Sequence, residues 1–133
     1  MEKPLPVPTD TSRPFWDGLR EGKFRIQYSP SSNQWVFYPR NLCPGTLADD
    51  LEWREVTGHG TLFSYTVPRV PVAPPWADDK SHVLAIVELK EGPRLTTELV
   101  NVDLNEIKVG MPVKPVFRPV SGTDVTLLCY EPS

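Results

Sequence analysis

The sequence has little cysteine and histidine, no excess of positive charge and no long apolar run. Two cysteines and two histidines in 133 residues argue against a disulfide scaffold and leave few ligands for a closed zinc site. A formal net charge of −3 gives no general attraction to nucleic acids or acidic membranes. The longest apolar run, residues 83–87, is far shorter than the ~20 residues a membrane-spanning helix needs. With no apolar leader, we expect one reduced, cytoplasmic domain.

Proline, by contrast, is abundant. The chain has 16 prolines, a share more than twice the usual ~5%. Because proline cannot donate to helix or sheet ladders, much of the chain should be loop, turn or edge strand. Residues 68–80 show no helix or strand pattern, and a loop of this length tends to be functional or disordered. Its prolines fit a polyproline II ligand, but a stiff loop that covers a pocket explains the same residues more simply.

The first predicted helix follows an extended, proline-rich arm at residues 1–9. Ser12 is a suitable N-cap, Pro14 fits the first turn, and Gly22 can end the helix in a left-handed conformation. A helix this short must dock its apolar stripe on the rest of the domain or on a partner. The stripe consists of Phe15, Trp16 and Leu19.

Alternation with a period of two predicts a three-stranded ribbon, with strands at residues 24–28, 35–38 and 51–56. Its tips, 28–31 and 43–46, stand where a zinc ribbon has C-x-x-C pairs, but Cys43 is the single sulfur present. We therefore expect a ribbon that folds without metal. Cys43 is then a surviving zinc ligand, a reactive thiol or, more simply, a small apolar residue packed at a turn. Cys129 is predicted to be a core residue.

Beyond residue 57 the pattern predicts strands at 60–67, 83–89, 94–100, 113–117 and 125–130, with a helical turn inside 102–110. Three strands, a helical link and two strands is the order of an OB fold, a partly open five-stranded barrel. The predicted fold is thus mainly β. An arm and helix occupy residues 1–23, a metal-free rubredoxin-like ribbon 24–57, and the OB-fold domain 58–133.

These elements, in this order, resemble a known family, the acyl-CoA-associated proteins with a rubredoxin-like zinc ribbon and an OB fold. The resemblance covers nearly the whole chain and rests on the ordered set of segments 12–23, 38–44, 58–67, 87–95 and 107–113. The chain departs from the family at Tyr28, Ser31 and Thr46, which replace cysteines, so no zinc and no other cofactor is expected.

The resemblance implies an accessory subunit in lipid metabolism rather than a self-sufficient enzyme. Such a subunit helps to hold an acyl-CoA and docks onto a thiolase-superfamily protein or a hydratase. The partner then performs acyl transfer, condensation or retro-aldol cleavage of CoA esters. No nucleic-acid or membrane partner is implied.

Aromatic and basic side chains are the candidate binding residues. The aromatic surplus of the N-terminal half is either a shared small core or a groove between helix and barrel that accepts an acyl or pantetheine chain. Arginines beside such a groove could reach CoA phosphates through bidentate contacts, and a tryptophan in the long loop could act as a lid. The substrate-binding candidates are Phe15, Trp16, Arg20, Arg40, Arg69 and Trp76.

Two other functions remain open. A single-stranded nucleic-acid module would need stacking aromatics and a basic groove on the second and third barrel strands, where residues 83–87 and 96–98 supply little of either. An independent enzyme acting on CoA esters would need an acid–base pair. His59 and His82 have no serine or cysteine neighbour that suggests one, so we assign no catalytic residue.

Overall fold

The computed structural model describes residues 5–67 and 83–133, so the whole of the predicted loop at residues 68–80 lies outside the described residues. The described part is mainly β, with one N-terminal α-helix, and none of its helices is long and apolar enough to cross a membrane. The elements are α1 (Arg13–Arg20), β1 (Phe24–Ser29), β2 (Gln34–Val36), β3 (Glu52–Val56), β4 (Gly60–Thr66), β5 (Leu84–Leu89), β6 (Arg94–Glu98), β7 (Pro112–Pro119) and β8 (Thr126–Pro132).

Helix α1 begins and ends where predicted, but the Ser12 side chain does not form the expected capping hydrogen bond. Gly22 takes a φ of +76°, and its N–H bonds to the Leu19 carbonyl at 3.0 Å while the Lys23 N–H bonds to the Gly18 carbonyl at 2.8 Å. This is the Schellman arrangement that a left-handed glycine permits. Ser12 precedes the first helical residue, but its side chain does not cap the helix. Its hydroxyl instead accepts a hydrogen bond from the backbone N–H three residues earlier.

The first sheet has three antiparallel strands in the order β2-β1-β3. The central strand β1 buries Phe24 and Ile26, and its Gln27 lies opposite Val36 of β2. The second strand is shorter than predicted. It ends at Val36 because Tyr38 takes a φ of +62°, a left-handed conformation that cannot continue a strand. The chain then turns towards the barrel.

Direct hydrogen bonds join the two tips of this sheet. The Asp50 carboxylate accepts bonds from the Ser29 hydroxyl at 2.6 Å and the Ser31 N–H at 2.8 Å. The hydroxyls of Ser32 and Thr46 lie 2.7 Å apart, which ties one tip to the other. The bonds to Asp50, above all that from Ser29, lower its pKa to about 2. Within the described ranges, no group of three or more His, Cys, Asp or Glu side chains is placed to hold a metal.

The second sheet has the strand order β6-β5-β4-β7-β8 and curls into a nearly closed barrel. A parallel bridge between Leu99 and Tyr130, with the Val100 N–H bonded to the Tyr130 carbonyl at 2.7 Å, joins the two ends of the sheet. The first barrel strand, β4, therefore pairs with β5 and β7, and the chain at the end of β6 meets β8. This is the strand order of an OB fold, which confirms the predicted fold. The helical link is shorter than predicted, a single 3-10 turn at Leu104–Glu106.

One apolar core spans the helix, the small sheet and the barrel. Phe15 of α1 packs edge-to-face on Phe24 and Phe37, with ring centroids 6.2 and 5.7 Å away. Gly58 connects the sheets at a φ of +79°, where an added Cβ would lie 2.5 Å from the Phe24 ring. The buried Tyr130 hydroxyl donates to the Gly58 carbonyl at 2.6 Å, and burial raises the pKa of Tyr130.

Asp50→Asn should destabilise the protein at neutral pH, because an amide nitrogen cannot accept the bonds that Ser29 or Ser31 donates. The pKa of Asp50 in the fold lies below its ordinary value of 3.8, so ionised Asp50 stabilises the fold above about pH 4, and this stabilisation is lost as the pH falls towards 2. Thermal unfolding should show a lower midpoint for the variant at neutral pH and a shrinking difference from pH 4 to pH 2.

Asp49→Asn is the matched control, since Asp49 is the exposed neighbour. Equal losses in both variants, or a difference for Asp50→Asn that persists undiminished at pH 2, would contradict this role of Asp50.

Candidate functional site

A cavity of about 410 Å³ lies between α1, the segment after β2, and the line along which β6 and β8 approach each other. We call it the seam cavity. Apolar and aromatic side chains make up most of its wall. Those that define it are Phe15 and Trp16 of α1, Phe37 and Tyr38 after β2, Leu95 of β6 and Leu128 of β8.

Side-chain hydroxyls satisfy backbone groups along this seam. In the described strands, β6 and β8 are joined by the bridge at the far end of β6 and not by a continuous ladder. Beside the cavity, the Thr97 hydroxyl donates to the Leu128 carbonyl at 2.9 Å, and the Tyr38 hydroxyl accepts from the Thr96 N–H at 3.1 Å. These backbone groups are therefore already bonded, and the polar atoms that a ligand in the seam cavity would meet here include the side-chain hydroxyl of Tyr38.

Phe15 and Trp16 both line the seam cavity, so the two interpretations of the aromatic surplus are compatible. Phe15 is buried in the shared core, and Trp16 is half-buried beside it with ring centroids 4.9 Å apart. One aromatic cluster thus forms a core on its inner side and a cavity wall on its outer side. A role of these two residues in binding stays a prediction.

Arg20 lies at a different cavity, of about 310 Å³, which shares Trp16 with the seam cavity. Its guanidinium lies 2.9 Å from the Asp17 carboxylate and 3.6 Å from that of Asp124. A phosphate would have to compete with both carboxylates, which makes Arg20 a weaker phosphate ligand than the sequence suggested.

Arg40 lies at a third cavity, of about 490 Å³, along the outer edge of β2. We call it the edge cavity. It is defined by Trp35 and Phe37 of the β2 segment, by Arg40 in the following loop, and by Glu91 and Arg94 at the turn between β5 and β6. Phe37 lines the seam cavity as well, so the two cavities adjoin at this ring.

Arg69 and Trp76, the other two predicted binding residues, lie outside the described residues, as does His82. His59 is exposed, and its backbone N–H bonds to the Thr57 hydroxyl at 3.3 Å. In the part of the chain that the structure describes, no hydrogen bond links the His59 imidazole to a serine or cysteine.

Both cysteines are buried and unpaired. Cys43 is fully buried at its turn, where its N–H bonds to the Ala48 carbonyl at 2.9 Å, which confirms it as a small packed residue. Cys129 is also buried, but it forms part of the seam-cavity wall. Burial raises the pKa of its thiol, so the thiol stays protonated and is a poor nucleophile.

The barrel side of the seam cavity was missed from the sequence. Leu95, Leu128 and Cys129 belong to strands that pattern alone assigns to the core. The available signal was topological: an OB fold brings its third and fifth strands together at an incompletely closed edge.

The barrel face that nucleic-acid-binding OB folds use is apolar and weakly charged here. Leu84 and Ile86 are exposed on β5, and the nearby Arg94 is held by Glu88, with the two side chains 2.8 Å apart. A single strand would need a continuous basic groove with stacking rings, so the described strands offer little to support that alternative.

The fold and its cavities define a class of protein: an OB-fold barrel that carries an N-terminal helix and a three-stranded sheet, with apolar space where they meet. Residues 53–118 match the family model described as ChsH2, C-terminal OB-fold domain. A DUF35 domain-containing scaffold protein of Pyrococcus furiosus is 33% identical over 125 residues, which are 93% of this chain and 87% of that protein. The chain therefore belongs to the DUF35 family.

Two further similarities link the chain to multi-subunit enzymes. A probable enoyl-CoA hydratase alpha subunit of Thermomonospora curvata is 33% identical over an alignment of 118 residues, and this alignment covers 79% of this chain. The chain spans only 36% of that relative's length. The solved structure of the Ltp2-ChsH2(DUF35) aldolase contains a chain that is 28% identical, with a TM-score of 0.82 over 96% of this chain and 98% of that one.

Tyr38→Phe should loosen the seam without removing the aromatic wall. The variant leaves the Thr96 N–H without its acceptor, so this amide should exchange with solvent faster, at a stability cost of about 1 kcal/mol or less. Residue-resolved hydrogen exchange measures the effect. Tyr28→Phe, whose hydroxyl bonds to Asn33 in the small sheet, should leave Thr96 unchanged. An unaltered Thr96 exchange rate in Tyr38→Phe would show that the bond does not hold the seam.

Proposed function

We propose that this chain is an accessory subunit that binds an acyl-CoA in the seam cavity and docks onto a thiolase-superfamily or hydratase partner. The observation that carries the proposal is an apolar cavity walled by Phe15 and Trp16 at the junction of helix and barrel. The scaffold, hydratase-subunit and aldolase relatives support the same role.

The seam cavity suits an extended, largely apolar chain. Its volume falls within the ~300–1,000 Å³ typical of small-molecule sites, which combine apolar walls with a few polar groups. The Tyr38 and Thr96 positions supply hydroxyls, and Glu98 supplies a carboxylate. Contact with the walls removes apolar ligand surface from water, which contributes about 25 cal/mol per Å². Amide groups of a pantetheine arm can meanwhile use the polar groups at the strand edge.

The chemistry is assigned to the partner because the described residues do not assemble a nucleophile with its base. Cys129, the thiol in the cavity wall, is kept protonated by burial. An ester bound in the seam cavity would therefore have no activated nucleophile beside it among the described residues. This is the behaviour required of a subunit that holds a substrate for another active site.

We also propose that the small sheet needs no zinc. Tyr28, Ser31 and Thr46 offer no sulfur or nitrogen ligands where a closed tetrahedral site would need them. The Asp50 and Thr46 hydrogen bonds link the tips in place of a metal. Metal analysis of the purified protein should find no stoichiometric zinc, and finding it would contradict this point.

Two unpaired, buried cysteines support a cytoplasmic location.

Trp16→Ala should lower the affinity for a medium-chain acyl-CoA about tenfold, since it removes a large apolar part of the cavity wall. Isothermal titration calorimetry on the whole chain measures the change. Tyr65→Ala is a suitable control because Tyr65 is an exposed aromatic residue of β4 outside the three cavities. Equal affinities for wild type and Trp16→Ala would remove the seam cavity as the binding site.

The accessory role is tested with the partner present. The chain should be purified with a candidate thiolase-superfamily or hydratase subunit, and turnover of a CoA ester measured for the partner with and without it. We expect turnover or ester affinity to increase when the chain is present. Values unchanged by the chain would refute the role, whatever the chain binds by itself.

A further inference from the structure

The edge cavity is bordered by a strand with a free side. Among the described strands, β2 pairs with β1 alone, and its other side faces the turn between β5 and β6 across the cavity. Trp35 and Phe37 contribute aromatic groups to the lining, and Phe37 is shared with the seam cavity. The two spaces thus lie on either side of one ring, and their linings differ in chemical character.

Arg40 supplies a positive charge that forms no ion pair within residues 5–67 and 83–133. In the ranges 5–67 and 83–133, each of the other arginines forms an ion pair with a carboxylate. Arg40 is exposed and has no such partner among the described residues. A guanidinium binds phosphate through two parallel hydrogen bonds, which makes an unpaired arginine beside a cavity a natural anion contact.

A buried side chain fixes the backbone of this arginine. The Gln27 amide donates to the Arg40 carbonyl at 2.8 Å, and its oxygen accepts from the Arg40 N–H at 2.7 Å. Gln27 lies on the central strand β1 and is only 5% exposed. Two hydrogen bonds thus tie the backbone of this loop residue to the central strand. Such support from a rigid element is what a precise binding contact requires.

Glu91 adds a hydrogen-bond acceptor to the same cavity. Its Oε1 is shielded from solvent and has no hydrogen-bond partner among the described residues, a situation that is costly for a carboxylate oxygen. A rotation of the Glu91 side chain towards the cavity would bring this oxygen within reach of an amine or hydroxyl donor of a ligand. Adenine has an exocyclic amine and a face that stacks on aromatic side chains, and ribose carries hydroxyls.

We propose that the edge cavity is a subsite for a phosphorylated adenosine, with Arg40 as the phosphate contact and Gln27 as the residue that positions it. The inference rests on the proposed function in one respect: the adenosine phosphate belongs to the acyl-CoA whose chain occupies the seam cavity. Phe37 marks the boundary between the chain and the head group.

Three probes test the subsite on the whole chain by calorimetry: an acyl-CoA, the corresponding acyl-pantetheine, which lacks the nucleotide, and adenosine 3′,5′-bisphosphate. Arg40→Ala should weaken acyl-CoA and the bisphosphate about tenfold and leave acyl-pantetheine unchanged. Arg54→Ala is the matched control. Arg54 is an exposed arginine on β3, at the opposite edge of the same sheet, and pairs with Glu52. It should leave the affinities for all three probes unchanged.

Gln27→Met keeps the length of the side chain and removes both hydrogen bonds to Arg40. If Gln27 acts by positioning Arg40, this variant should weaken bisphosphate binding several-fold, and the effect should vanish in the Arg40→Ala background. An equal effect of Gln27→Met in both backgrounds would show a general structural role and overturn the positioning.

The outcomes separate the two proposals. The subsite would be overturned if acyl-CoA binds no more tightly than acyl-pantetheine and Arg40→Ala leaves both affinities unchanged. The accessory function would still stand. Binding of the bisphosphate that depends on Arg40, without any binding of either ester, would support a free-nucleotide site and overturn acyl-CoA binding. Absence of binding by all three probes would overturn both.

Discussion

Packing of aromatic rings at the junction between the small sheet and the barrel supports every other feature of this protein. Phe24 lies against Gly58, where a Cβ would lie 2.5 Å from the ring, and the Tyr130 hydroxyl bonds to the Gly58 carbonyl from the last barrel strand. Phe15 and Phe37 close the cluster from the helix side. Because interiors are packed without spare volume, this junction sets the position of the helix relative to the barrel.

Both adjoining cavities follow from that geometry. The junction places the aromatic stripe of α1 beside the incompletely paired edge of β6, and space remains between them. It also places the free side of β2 opposite the β5–β6 turn. Phe37 stands between the two spaces. A single packing arrangement thus produces an apolar compartment and a charged one that meet at one ring.

Hydrogen bonds between side chains link the tips of the small sheet. Asp50 and the hydroxyls of Ser29, Ser32 and Thr46 form short, oriented hydrogen bonds between chain segments distant in sequence. Unlike a metal site, such a network depends on the ionisation of one carboxylate, whose pKa its hydrogen-bond donors lower to about 2. The network therefore remains intact across the physiological pH range.

The sequence by itself determined the element types, the OB order of the barrel strands and the glycine that ends α1, because these depend on local periodicity and turn chemistry. Residue type also selected Phe15, Trp16 and Arg40 as binding candidates, and the structure places each of them in the lining of a cavity. Only the tertiary structure decided that carboxylates bind Arg20 while Arg40 has none beside it among the described residues, that Gln27 holds the backbone of Arg40, and that Cys129 lines a cavity. These properties depend on contacts between residues far apart in the chain, and local patterns contain no information about such distances.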